Sequence, residues 1–168
     1  MAKNIILIGF MGVGKGRVAR ELSAKTGWFA VDTDNLIESR TKKKIRNIFA
    51  DEGEAAFRKM EQQTADWIKR SVTGTIVSTG GGFFMVKKIH KLGRIFFLHS
   101  SIENILASIQ KHPNAAGKIK KRPLLQDLDA AKKLYSQRLP LYRQAADHEI
   151  DVEGKDTTAI AREIADLM

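Results

Sequence analysis

A parallel α/β sheet flanked by helices is the fold class this sequence predicts, on three observations. Apolar runs of strand length alternate with helical stretches along the chain, the pattern of strands joined by crossover helices. The first run, Ile5-Ile6-Leu7-Ile8, leads directly into the glycine-rich turn Gly9-Phe10-Met11-Gly12-Val13-Gly14-Lys15-Gly16 and then into a helical stretch. With 168 residues, 43% hydrophobic and 29% charged, the chain has the size and composition of one globular domain.

Taken in order, the apolar run predicts a buried strand over 4–8, and 15–26 reads as a helix whose Val18 and Leu22 face the sheet. A second strand is expected over 28–31, followed by a short helix over 35–40. Phe57, Met60 and Trp67 recur at helical spacing and predict a longer helix over 52–70. Strands follow over 75–78 and 95–98, with a helix over 101–110 capped by Ser101 or its neighbour. Pro113, Asn114 and Gly117 interrupt the next segment, 111–121, which carries four lysines. Those breakers predict a long basic loop, and a loop of that length in a small domain serves best as a lid over a ligand. A helix over 127–146, a strand over 148–152 and a helix over 157–168, capped by Asp156 or Thr157, complete the chain.

Composition removes several classes of function. There is no cysteine, which excludes disulfides, thiolate catalysis and cysteine metal sites. The four histidines, His90, His99, His112 and His148, show no i, i+4 ligand pairing, so a zinc site held by the protein is not expected. The net charge of +10 attracts anions. The basic residues are scattered, however, and the 7% of aromatic residues do not interleave with them as a nucleic-acid stacking platform requires. Small phosphorylated or carboxylated molecules fit the charge, and no nucleic-acid partner is expected. No apolar run reaches the roughly 18 residues of a membrane span. The run after Lys3 ends in Gly14-Lys15-Gly16-Arg17 rather than at a cleavage site, and the expected location is cytoplasmic, without membrane attachment.

The glycine-rich turn matches the phosphate-binding pattern Gly-x-x-x-x-Gly-Lys-[Ser/Thr] at every fixed position except the last, where Gly16 stands. A strand, such a turn and a helix aim backbone N–H groups and the positive helix end at one anion, and Lys15 adds a mobile charge. The usual hydroxyl at the last position ligates the nucleotide's Mg²⁺. Asp32-Thr33-Asp34 follows the second strand, at the end that faces the ligand crevice in open α/β folds. Its carboxylates could hold Mg²⁺, work on an acceptor hydroxyl, or cap the following helix. Ser78-Thr79-Gly80-Gly81-Gly82 follows the third strand in the same way, and its exposed amides suit a carboxylate or phosphate. Arg58, which Glu61 can steady from one helical turn away, Arg122 and Arg138 are the cationic candidates.

In these motifs, together with Ile48-Phe49, Gly53-Glu54, Phe57-Arg58, Arg122-Pro123-Leu124-Leu125 and Arg138 before Tyr142, the chain resembles the shikimate kinases along nearly its whole length. The resemblance implies a P-loop three-layer sandwich with a five-stranded parallel sheet flanked by helices. It implies a single kinase domain over 1–168, a mobile substrate-binding helical region about 33–61 and a lid about 111–124. The implied activity is transfer of the ATP γ-phosphoryl group to the 3-hydroxyl of shikimate in aromatic amino acid biosynthesis, with Mg²⁺ as cofactor and the protein a monomer. Lys15, Asp34 and Arg122 would be catalytic. ATP would lie on Gly12, Val13, Gly14, Lys15, Gly16, Arg17 and Arg122. Asp34, Arg58, Gly80, Gly81, Gly82 and Arg138 would hold shikimate, with Phe49 and Phe57 as an apolar wall. Asp32 would support Mg²⁺ through water.

Two positions depart from the family pattern. Gly16-Arg17 replaces the usual hydroxyl residues, which predicts weaker Mg²⁺ binding. Arg17 then either adds charge near the α-phosphate or faces solvent. Before the lid, Ser108-Ile109-Gln110-Lys111 stands where the family often has an arginine on adenine, so the adenine contacts stay unassigned. Two other readings remain open at this level. One is a kinase of another hydroxylated carboxylate, which the arginines and Asp34 would also serve. The other, resting on Gly16, is a nucleotide-binding protein impaired in catalysis.

Overall fold

Strands β1 (Asn4–Ile8), β2 (Ala30–Asp32), β3 (Ile76–Ser78), β4 (Gly93–His99) and β5 (His148–Asp151) form one parallel five-stranded sheet in the order β2-β3-β1-β4-β5. The computed structural model describes residues 3–120 and 127–168. β1 is central and buried along its whole length, as a parallel strand covered on both faces must be. From β1 the chain passes to the edge strand β2, returns to β3 beside β1, and then crosses to β4 and β5 on the other side of β1, a reversal that opens a crevice at the carboxyl ends of the strands. Register sets what stands there. Ser78 pairs with Leu7 on one side and with Asp32 on the other, so the ends of β1, β2 and β3 lie abreast.

Helix α1 (Lys15–Thr26) buries Val18, Ala19 and Leu22 and packs on α7 (Thr157–Asp166), which buries Ile160, Ala161 and Ile164. Between them in sequence lie α2 (Thr33–Thr41), α3 (Ile45–Ser71), α4 (Ile102–Gln110), α5 (Ala115–Lys120) and α6 (Leu128–Ala145). Tyr142 on α6 stacks on Phe97 of β4, with ring centroids 5.0 Å apart, and meets Phe84 at 4.5 Å. The Ser101 and Asp156 caps of α4 and α7 form as the sequence predicts. Among the described residues, no helix is long and apolar enough to cross a membrane.

Three elements differ from the sequence expectation. α3 starts at Ile45 rather than 52, because two helices run in tandem through Gly53, whose φ of 82° and ψ of 172° break the helical path. The first of them is held by a separate apolar cluster of Ile37, Ile48 and Phe57, with Ile45 and Met60 packed against it. Trp67 keeps its helical spacing but is 41% exposed, since α3 turns Thr64, Ala65 and Ile68 inward. Part of the expected loop 111–121 is helical: Pro113 and Asn114 precede α5, and only Gly117 falls inside it. A single glycine costs a helix about 1 kcal/mol, which does not forbid it. Arg122 and the rest of the expected lid through 124 lie outside the described residues.

The start of β4 carries a stability prediction. Gly93 pairs with Asn4 so closely that a Cβ at position 93 would collide with the Asn4 carbonyl, a backbone atom fixed in the sheet. Gly93→Ala is expected to cost about 2–3 kcal/mol, as overpacking of a rigid site does, read as a lowered midpoint in urea unfolding.

Candidate active site

The turn between β1 and α1 is built for an anion. Gly12 and Gly14 have φ of 85° and 107°, in the left-handed region where a side chain is strained. Gly14 is also the N-cap of α1 and offers no side chain, leaving the helix end to a ligand. Lys15 is buried, and its Nζ donates to the carbonyls of Gly9 (2.7 Å) and Phe10 (3.1 Å), which holds the charge against the loop.

The two aspartates after β2 take different places. Asp32 caps α2: its Oδ1 accepts from the N–H groups of Asp34 (3.0 Å) and Asn35 (3.1 Å). Its Oδ2 accepts from Ser78 Oγ at 2.9 Å. Capping, one of the alternatives the sequence leaves open, is therefore Asp32's observed role, and its second oxygen is held by Ser78. Asp34 turns its Oδ1 into the site beside Gly80, where a Cβ would lie 2.7 Å from that oxygen. Among the described residues, Asp34 Oδ1 and the nearby Glu61 Oε1 are the buried side-chain oxygens without a hydrogen-bond partner. Burial first, then the negative charges of Asp32 and Glu61, pushes the Asp34 carboxyl up to about 7, with Lys15 opposing. Burial also raises Glu61, and the Arg58 guanidinium pulls it the other way.

Across the site, Arg58 donates to Glu61 Oε2 and to Glu54 Oε1, a pairing one turn along α3 in each direction. Its guanidinium lies so close to Gly82 that any Cβ there would strike it. Arg138, buried on α6, donates to the Gly81 carbonyl (3.3 Å), which also accepts from Tyr142 Oη. A Cβ at Gly81 would lie 3.4 Å from Met11 N and 3.7 Å from Arg138 Nη1, so the triple glycine, the phosphate loop and α6 converge. One amide of this loop is engaged within the fold. The Gly80 N–H donates to Thr33 Oγ1 (3.1 Å), a buried hydroxyl, which leaves the amides of Gly81 and Gly82 as the candidates for an anion. Phe49 and Phe57 stand as a ring pair 4.8 Å apart, and Arg58 lies over Phe57.

The sequence reading missed the far side of the phosphate loop. A cleft of ≈ 330 Å³ runs from Gly12–Gly14 past Asn104 and Ser108 to Gly154, Lys155 and Asp156. The loop after β5 was findable as another strand carboxyl end carrying a glycine. Arg17 is exposed, with its guanidinium beside Gly14 on the rim of this cleft, which joins its two sequence readings in one place. The site as a whole pairs a phosphate loop and its lateral cleft with a second recess lined by two arginines, two glycine amides and a buried carboxyl whose pKa is raised. Such a pair suits transfer of a phosphoryl group to the hydroxyl of a small carboxylate.

Comparison with known proteins identifies a single family. The sequence profile of the family described as "Shikimate kinase" matches residues 11–168. A shikimate kinase of Helicobacter hepaticus is 36% identical over 166 residues, covering 99% of this chain and 96% of that protein. One from Dehalococcoides mccartyi is 38% identical, covering 98% and 93%. Among solved structures, the shikimate kinase of Acinetobacter baumannii in complex with shikimate superposes with a TM-score of 0.87 at 30% identity, covering 99% of this chain and 93% of that one.

Proposed function

The chain belongs to the shikimate kinase family, and on that premise we propose that it transfers the γ-phosphoryl group of ATP to the 3-hydroxyl of shikimate. The observation that carries the reading is the orphaned, buried Oδ1 of Asp34, aimed into a recess walled by Arg58 and Arg138. A buried acceptor without a donor is costly unless a ligand completes it, and a ring hydroxyl supplies the missing hydrogen bond. In that pose Asp34 holds the attacking oxygen and takes its proton as the bond to phosphorus forms. Arg58, Arg138 and the amides of Gly81 and Gly82 grip the carboxylate at the other end of the ring. Phe49 and Phe57 wall the ring's apolar side.

The phosphates lie on the amides of the turn Gly12–Gly16 and the start of α1, with Lys15 leaving the loop carbonyls for the β- and γ-oxygens and Arg17 near the α-phosphate. Arg122 is the lid cation that would reach the transferring group. The nucleoside occupies the cleft between Ser108 and Gly154. The whole chain acts as one kinase domain and as a monomer, in the cytoplasm, with 33–61 enclosing shikimate and 111–124 closing over ATP.

A divalent metal bound with the nucleotide would supply charge neutralisation to the phosphate oxygens. The residues present fit a small hard cation, since the Asp32 carboxylate and the Ser78 hydroxyl converge beside the phosphate loop. Mg²⁺ is the ion these oxygens suit, with Asp32 supporting it through water.

Shikimate-dependent release of ADP from MgATP tests the reading; ADP release that shikimate does not stimulate would overturn it. A sharper consequence follows from the crowding at Gly82. Gly82→Ala must push the Arg58 guanidinium aside. It is expected to raise the shikimate KM about tenfold, the loss of part of one charge-assisted contact, with the ATP KM unchanged in the same assay.

A further inference from the structure

We propose that Ser78 supplies the protein's hydroxyl ligand to the divalent ion of the metal–nucleotide, at the position that Gly16 leaves open. The proposal rests on reading the site as one that binds a metal nucleotide. It replaces the expectation that a missing hydroxyl at 16 weakens the metal site.

The first argument is place. A Cβ built on Gly16 would stand 3.9 Å from Ser78 Oγ, so a hydroxyl carried there would come within hydrogen-bonding reach of the Ser78 hydroxyl. Among the described residues, and apart from the chain neighbours of Gly16 and the backbone of its own helix, Arg20 Nη1 (3.7 Å) and Ser78 Oγ are the atoms within 4 Å of that point. A guanidinium carries only donors and cannot coordinate a cation, whereas a hydroxyl can. Ser78 comes from β3 rather than from α1 but sets its oxygen next to that point.

The second argument is orientation. Ser78 is 3% exposed, at the carboxyl end of β3, held between β1 and β2 by its pairing with Leu7 and Asp32. Its hydroxyl proton is committed to Asp32 Oδ2 at 2.9 Å. A hydroxyl has one proton and two lone pairs, so this bond turns the lone pairs away from Asp32 and frees them for an ion. Asp32 is itself fixed by the two N–H groups of α2 that its Oδ1 accepts. A carboxylate that accepts the proton of a ligating group strengthens that ligand as a donor. Asp32 is thus the positioning residue and Ser78 the ligand.

Mn²⁺ serves as the probe, with its binding to the protein–ADP complex followed by electron paramagnetic resonance and no acceptor present. Ser78→Ala is expected to weaken Mn²⁺ binding about tenfold, the scale at which ligand-shell changes act, with metal-free ADP affinity within about twofold of the parent. In a Gly16→Ser background the same change is expected to cost less than about threefold, because the introduced hydroxyl takes over. An unchanged Mn²⁺ affinity in Ser78→Ala overturns the proposal. So does an equal loss in both backgrounds, which would mean that Ser78 acts only by bracing Asp32. Should Ser78→Ala not fold, Gly16→Ser alone decides. A gain under about threefold supports a position already served, and any larger gain contradicts it. A parent protein that binds no ADP would sink the nucleotide reading itself, a failure distinct from these and one that takes the proposal with it.

Discussion

Asp34→Asn is expected to lower kcat about 10²–10⁴-fold, the range that general-base residues contribute. ATP affinity should stay unchanged, since Asp34 lies on the acceptor side of the phosphate loop. The asparagine keeps the shape and can still meet a ring hydroxyl, but its amide cannot take the proton. The shikimate KM should therefore move far less than kcat, the pattern of an interaction realised only in the transition state. A raised shikimate KM with kcat unchanged would place Asp34 in substrate binding alone. The same substitution has a second, opposite consequence. The carboxyl is pushed from 3.8 to about 7 by burial and by Asp32 and Glu61, so the folded protein holds a proton there that the unfolded chain has released. Its contribution to stability is best below about pH 4 and falls as pH rises toward 7, because ionising the group in the fold is unfavourable. Asp34→Asn removes that penalty. The variant's advantage over the parent should grow between about pH 4 and 7 and then level off, reaching about 1–3 kcal/mol after allowance for solvent screening. Thermal unfolding of the ligand-free proteins across that range checks it, and a variant less stable than the parent at pH 8 would contradict the account.

Arg138→Ala is the second large effect. The side chain is buried on α6, donates to the Gly81 carbonyl and packs its guanidinium over Phe84 at 6.0 Å. In the proposed pose it pairs with the shikimate carboxylate, and truncating one partner of a buried charge pair costs about 3 kcal/mol. That loss corresponds to a rise in the shikimate KM of about a hundredfold. The ATP KM should be unaffected, because Gly81 separates Arg138 from the phosphate loop. Arg138 is a cleaner probe than Arg58, whose removal would also strip the buried Glu61 of its ion pair and threaten the fold. Arg138→Lys should recover part of the affinity through its charge and not all, since a lysine cannot grip a carboxylate in two places. A shikimate KM within about threefold of the parent in Arg138→Ala would remove Arg138 from the carboxylate site.

What could be read from the sequence was what lies in short local patterns. The phosphate loop, the aspartates after β2 and the pairing of Arg58 with Glu61 each sit within a few residues, where spacing alone sets geometry. The order of strands and helices was legible for the same reason, because the three central strands β3, β1 and β4 carry short apolar runs bounded by polar residues. What depends on register between distant segments was not. The meeting of Ser78 with Asp32 and Gly16 arises from pairing across 46 and more residues, and no periodicity within one segment reports it. The use of the Gly80 amide by Thr33 is hidden likewise. Gly53 concealed the true start of α3, since a break in period resembles the end of a helix. Pro113 and Asn114 masked α5 by standing just before it rather than within it.

The most direct test of the central claim is the identity of the product. The protein, MgATP and shikimate should be incubated together and the products resolved by mass spectrometry and ³¹P–¹H correlation spectroscopy. ADP and a single phosphate monoester whose phosphorus couples to the proton on C3 of shikimate are expected, formed about 10²–10⁴-fold more slowly when Asp34→Asn is used. ATP consumed without a shikimate phosphate, or a phosphate on another hydroxyl, would contradict it.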